Sequence, residues 1–149
     1  MKFVGFIKEE DKNIQGAKPF FEMFNGMDLD ENSRKRIIEY LTNGHVISAT
    51  MTFVRDLKDG EGIGGLTYHS DGKFIWPIYY VFYLSKYSNF KLDKDFVDYA
   101  KSQDYVMKNI GKQELMEIEN FFEQSWAVKE TKAKPKLKSK IRPIIKKKR

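Results

Sequence analysis

Residues 68–84, YHSDGKFIWPIYYVFYL, constrain the fold more than any other stretch of this 149-residue chain. Asp71-Gly72 between strand-like flanks predicts a β-hairpin with a type I′ turn, because both residue types accept the positive φ angles that turn requires. Pro77 cannot donate to a strand ladder but suits the first turn of a helix, so the second strand should pass directly into a helix. Within that helix Tyr79 and Tyr83, Tyr80 and Leu84, and Tyr83 and Tyr87 stand four residues apart. A helix apolar on nearly all sides is a buried one. Phenolic hydroxyls need partners or water, so one or two tyrosines are expected at a rim, where aromatic side chains make good protein contacts.

Around this centre the chain reads as α+β: a small antiparallel sheet, a three-stranded meander plus an N-terminal strand, with helices packed on one face. Residues 2–7, KFVGFI, read as the N-terminal strand, and Pro19 opens a short helix that Gly26 closes. Asp30 is the expected N-cap of the next helix, Ile37, Ile38 and Leu41 its apolar stripe, and Asn43-Gly44 its stop. In HVISATMTFV, Ile47, Ala49, Met51 and Phe53 alternate with polar residues and form the expected inward face of a strand. Asp93 caps a further helix. Leu115, Ile118, Phe121, Phe122 and Trp126 lie at helical spacing on a last one.

Composition excludes several classes. The chain has no cysteine, so neither a disulfide framework nor a thiolate metal site is available. No run approaches the roughly 18 apolar residues of a membrane span, and the N-terminus lacks a signal-peptide core, so a cytoplasmic location is expected. The net charge of +6 is unevenly divided. From Lys129 onward there are eleven Lys or Arg and one Glu, leaving sixteen basic and twenty acidic residues in the first 128. The expectation is one globular domain over 1–128 and a basic tail over 129–149 that does not fold alone.

Candidates for chemistry are few. GEGIGG, residues 60–65, matches G-x-G-x-x-G, but a strand follows where a dinucleotide site needs a helix N-terminus, so a hairpin connection is expected. His45 and His69 are the only histidines and do not form a spaced ligand pair, and acid–base work would need one of them to meet a carboxylate. Ser70 lacks the surroundings of a nucleophile elbow. Asp28, Asp30 and Glu31, like Asp93, Asp95 and Asp98, stand where helix starts favour negative charge. No enzyme activity, cofactor or metal is expected.

Residues 37–104 resemble a group of small stand-alone bacterial proteins. The shared pattern is Tyr40-Leu41 with Gly44, Ile63-Gly64-Gly65, Asp71-Gly72 with Trp76-Pro77, Tyr79-Tyr80, and Leu92 with Phe96 and Tyr99. The chain departs from it at Ile78, where an acidic residue is expected, and adds the last helix and the basic tail. Some members are associated with immunity against bacterial polymorphic toxins, so the resemblance implies a non-enzymatic protein that binds and neutralises a partner protein. The expected contacts are Asp56, Asp59, Glu61 and Asp71 with Trp76, Tyr79 and Tyr83. The alternative is nucleic-acid association through Lys132, Lys134, Lys136, Lys138, Lys140, Arg142, Lys146, Lys147, Lys148 and Arg149, a salt-sensitive and sequence-blind mode.

Overall fold

A computed structural model describes residues 1–26 and 29–133, with side chains through Trp126. Asp28 and the basic positions from Lys134 onward lie outside the described residues, as does the side chain of Lys132. The fold is α+β, with strands β1 (Lys2–Phe3), β2 (His45–Arg55), β3 (Gly62–Ser70) and β4 (Phe74–Pro77). The helices are α1 (Lys8–Asp11), α2 (Glu31–Thr42), α3 (Ile78–Lys86), α4 (Lys94–Ser102) and α5 (Lys112–Ala133), with a 3-10 turn at Phe20–Phe24.

The sheet order is β1-β4-β3-β2. The meander is antiparallel, but β1 runs parallel to β4, so the sheet is mixed rather than wholly antiparallel. The N-terminal strand is also shorter than expected. After Phe3 the chain bends at Gly5, whose φ of +78° breaks the ladder. Its missing side chain leaves room for the Tyr80 ring, which a Cβ there would strike.

Pairing sets which face each residue serves. Phe3 stands opposite Ile75, and Tyr68 opposite Pro77, on one face. Phe3 and Tyr68 meet Phe122 of α5 there, with ring centroids 6.4 and 4.6 Å apart. Phe74 and Trp76 point the other way, onto Phe96 of α4 at 5.2 and 5.6 Å. Helices therefore cover both faces, not one. A strand four residues long and buried at every position, as β4 is, needs cover on each side.

The capping expectations hold where local chemistry decides. Asp30 accepts from Ser33 N at 2.8 Å and Asp93 from Phe96 N at 3.0 Å. Asn43 closes α2 with its N–H directed at Glu39 O. Pro77 is the junction between β4 and α3. The hairpin loop is shifted by one residue. Among the loop residues only Gly72 has positive φ, +98°, and it occupies the first central position, as a type II′ turn demands. Asp71 instead stays buried, its Oδ1 accepting from Lys73 N at 2.9 Å and Phe74 N at 2.7 Å. Pro19 opens the short 3-10 turn, and α5 continues through residue 128 to Ala133.

Strand β2 departs most from its pattern. Its register against β3 slips between Val46 and Ser48 and again between Ala49 and Phe53. Extra residues in a bulge rotate side chains between faces. Ile47 and Val54 are buried, while Met51 and Phe53, expected inside, are exposed. Gly62, Gly64 and Gly65 belong to β3 and not to a loop. A Cβ at Gly62 would lie 3.1 Å from Phe53 Cζ, so the exposed Phe53 ring covers bare glycine backbone.

Candidate functional site

The acidic loop between β2 and β3 folds around a lysine. Asp56 N donates to Glu61 O at 2.7 Å, and Asp59 Oδ1 accepts from Glu61 N at 2.9 Å, which draws the three acids together. Lys86, at the end of α3, donates to Asp56 at 2.8 Å and to Asp59 and Glu61 at 2.6 Å each. Tyr87 adds a hydrogen bond to Asp56 Oδ2 at 2.6 Å. Three charge-assisted hydrogen bonds from one ammonium hold Lys86 protonated well above its usual range. Burial alone would raise the Asp56 carboxyl, but the bonds from Lys86, Tyr87 and Lys58 N outweigh it and hold that group below its ordinary value. The carboxylates lie within 4.8 Å of one another, a spacing open to a metal ion, yet the ammonium already satisfies all three.

This changes the role of the loop. Asp56 is buried, while Asp59 and Glu61 are half-exposed and paired. The cluster fastens the β2–β3 connection to α3 and presents little free negative charge. Tyr83 reinforces the same seam, its hydroxyl accepting from Leu57 N at 3.1 Å.

The other expected contact residues lie inside. Asp71, Trp76, Tyr79 and Tyr83 are all 0% exposed. Asp71 takes a hydrogen bond from Tyr40 at 2.7 Å, and Trp76 Nε1 donates to Leu41 O at 3.2 Å. Tyr79 donates to Asp11 at 2.7 Å and Tyr68 does so at 2.6 Å. The phenols thus find their partners in the interior, so no aromatic rim forms from Tyr79 and Tyr83. Asp11, in the short helix α1, is a buried carboxylate that the sequence did not single out. Burial raises its pKa and the two phenols partly oppose that.

The histidines do not form one site. Register sets His45 against Ser70 and His69 against Val46, and cross-strand partners share a face, so the two imidazoles point to opposite faces. His45 Nε2 lies 2.9 Å from Lys108 O and His69 Nε2 lies 2.9 Å from Thr67 Oγ1, so neither hydrogen bond reaches a carboxylate.

What stands open is the edge formed by β2 and the outer half of α5. β2 pairs with β3 alone, leaving its other edge free along eleven residues. Between His45 and Val54 it carries no Lys, Asp, Glu or Pro, the residues that usually blunt an edge. Val46, Met51 and Phe53 are exposed on it, Met51 fully. Beside it Trp126 of α5 stands 42% exposed. Ser48, Thr50, Tyr68, Phe122, Glu123 and Trp126 enclose a mainly apolar groove of about 250 Å³. The sequence signal for this edge was present in the apolar residues of β2, but their exposure depends on the bulges.

No protein family, curated protein or solved structure matches the chain. Among the described residues no helix is long and apolar enough to cross a membrane.

Proposed function

We propose that this chain is a non-enzymatic binding protein that takes a partner protein along the edge of β2 and the adjoining face of α5. The observation that supports it is the unblunted edge with Met51 and Phe53 outward, next to the groove beside Trp126. An edge strand supplies backbone hydrogen bonds to an added segment, and a neighbouring apolar groove selects its side chains. In the bacterial immunity reading the partner is a toxin whose activity is blocked by occupation. The contact surface then differs from the loop acids, which are engaged with Lys86.

The test is a tagged pull-down of the full chain from its native cell, after nuclease treatment and a high-salt wash, beside the variant Met51→Asp/Trp126→Ala. One stoichiometric protein, retained by the parent and lost by a folded variant, is the expected result. Equal retention by both would remove this surface from the function.

The second reading, nucleic-acid association through the tail, is favoured by the eleven basic residues from Lys129 onward. It predicts affinity that falls steeply with salt, the logarithmic slope scaling with the number of phosphates contacted.

A further inference from the structure

We infer that residues 136–142, KLKSKIR, add to the free edge of β2 as a fifth strand, with Leu137 and Ile141 in the groove beside Trp126. The inference rests on the reading of β2 and α5 as a binding surface and names an occupant that this chain itself supplies.

The pattern of the segment is that of a strand. Lys132, Lys134, Lys136, Lys138, Lys140 and Arg142 occupy every second position. Ala133, Pro135, Leu137, Ser139, Ile141 and Pro143 occupy the positions between. A period of two places all the cations on one side of an extended chain and all the small or apolar residues on the other. Pro135 and Pro143 bound a proline-free window of the length of an ordinary strand. The apolar side is short, Leu137, Ser139 and Ile141, and matches a groove of about 250 Å³ with mainly apolar walls. Glu123 at the groove supplies a carboxylate within the reach of flanking lysines.

The connection also fits. α5 starts near the β3–β4 turn, where Lys108 and Glu114 approach Gly72. It then passes Tyr68 at Phe122 and reaches Ser48 and Thr50 at Trp126. His45 opens β2 opposite Ser70, beside that same turn, so α5 runs in the same sense as β2. The seven helical residues after Trp126 advance about 10 Å at 1.5 Å each, which brings Ala133 level with the Phe53 end of β2. A chain that turns at Pro135 and returns from there runs antiparallel to β2. Seven extended residues span about 23 Å, the distance from Phe53 back to Ile47. An edge without lysine thus receives a segment whose lysines all face away from the groove.

The chain has no cysteine, so pairs introduced into the full chain report on this arrangement directly. Thr50→Cys with Leu137→Cys, and Ser48→Cys with Ile141→Cys, should form an intramolecular disulfide under mild oxidation. Phe21→Cys with Leu137→Cys should not. Hydrogen exchange is the second readout: outer-edge amides of β2 should exchange at least tenfold faster in Leu137→Asp/Ile141→Asp than in the parent. Equal exchange in the two proteins, or no bias between the disulfide pairs, overturns the inference. Disulfide-linked dimers instead of monomers overturn it in favour of a second copy. The binding reading fails separately. A docked tail with partner capture indifferent to Met51→Asp would remove that reading alone, and an undocked tail with capture lost on Met51→Asp would remove only this inference.

Discussion

Lys86 Nζ lies 2.8 Å from Asp56 Oδ2, and that carboxylate has no side-chain exposure. Without the ammonium, Asp56 would be a buried charge with only Tyr87 and a backbone N–H to balance it. Removing one partner of a buried pair is far more harmful than removing an exposed one. Lys86→Met should therefore lower Tm more than Asp59→Asn or Glu61→Gln, whose side chains are half-exposed. The sign of the pH effect follows from the depressed Asp56 pKa. Its contribution is present above the ordinary carboxylate range near pH 3.9 and is lost as pH falls through the lower folded value. Thermal melts of the three variants at pH 7 give the ranking, and the Lys86 variant should lose part of the parent's acid-side decline.

Gly5 and Gly16 both have positive φ, +78° and +89°, but only one is crowded. A Cβ at Gly5 would strike the Tyr80 ring, whereas nothing lies within 4 Å of one at Gly16. Gly16→Ala carries the backbone penalty alone, about 1 kcal/mol. Gly5→Ala adds overpacking against a fully buried aromatic ring and should cost about 3 kcal/mol or more. Urea unfolding of the pair separates the two effects, and equal costs would remove the steric argument.

How far the sequence carried this fold depended on how local each determinant is. Asp30, Asp93 and Pro77 act within one turn, and each was legible. The interior position of Tyr79, Tyr80, Tyr83 and Leu84 was also legible, because four-residue spacing covers every side of a short helix. The parallel pairing of β1 joins residues more than 70 positions apart, Lys2 with Phe74, and no local pattern encodes it. The same holds for Lys86 and Asp56, 30 positions apart, whose meeting converts a seemingly free acidic loop into a fastened one. Bulges in β2 defeated the alternation rule, since two extra residues between Ala49 and Phe53 exchange Phe53 for Val54 as the buried side chain. The exposed edge proposed as the binding surface arises from that irregularity, and periodicity alone points away from it.

His69 supplies a pH dependence of its own. It is 8% exposed, its Nδ1 has no hydrogen-bond partner, and burial holds the imidazole below its ordinary pKa. Its neighbours are Thr67, Gly44 and Trp76, none of which compensates a positive charge. The folded state therefore favours neutral His69. Its contribution is full above pH about 6.5 and is lost as pH falls through the depressed folded value, at no more than about 1.4 kcal/mol per pH unit for one proton. Melts of the parent should weaken between pH 7 and 5, and His69→Gln should flatten that slope. An unchanged slope would assign the dependence elsewhere.

The buried acid of α1 gives a sharper test of interior hydrogen bonding. Tyr68 and Tyr79 each donate to Asp11, at 2.6 and 2.7 Å, but Tyr79 Oη also accepts from Ile7 N at 3.1 Å. Tyr68→Phe removes one donor from a carboxylate that keeps another. Tyr79→Phe removes a donor and also leaves the Ile7 amide buried without its acceptor. A buried group left unsatisfied costs about 1–3 kcal/mol, so Tyr79→Phe should be the more destabilising change by at least about 1 kcal/mol. Burial already raises the Asp11 pKa, and losing a phenol that lowers it raises it further. A raised carboxyl contributes stability that is full below its unfolded value and lost as pH rises through its folded value. The penalty of either substitution should accordingly shrink as the medium is acidified and Asp11 takes up its proton. Urea unfolding of the parent and both variants at pH 7 and pH 4 measures this. A penalty that is the same at both pH values would mean that Asp11 is already neutral at pH 7, and that the phenols serve an acid and not an anion.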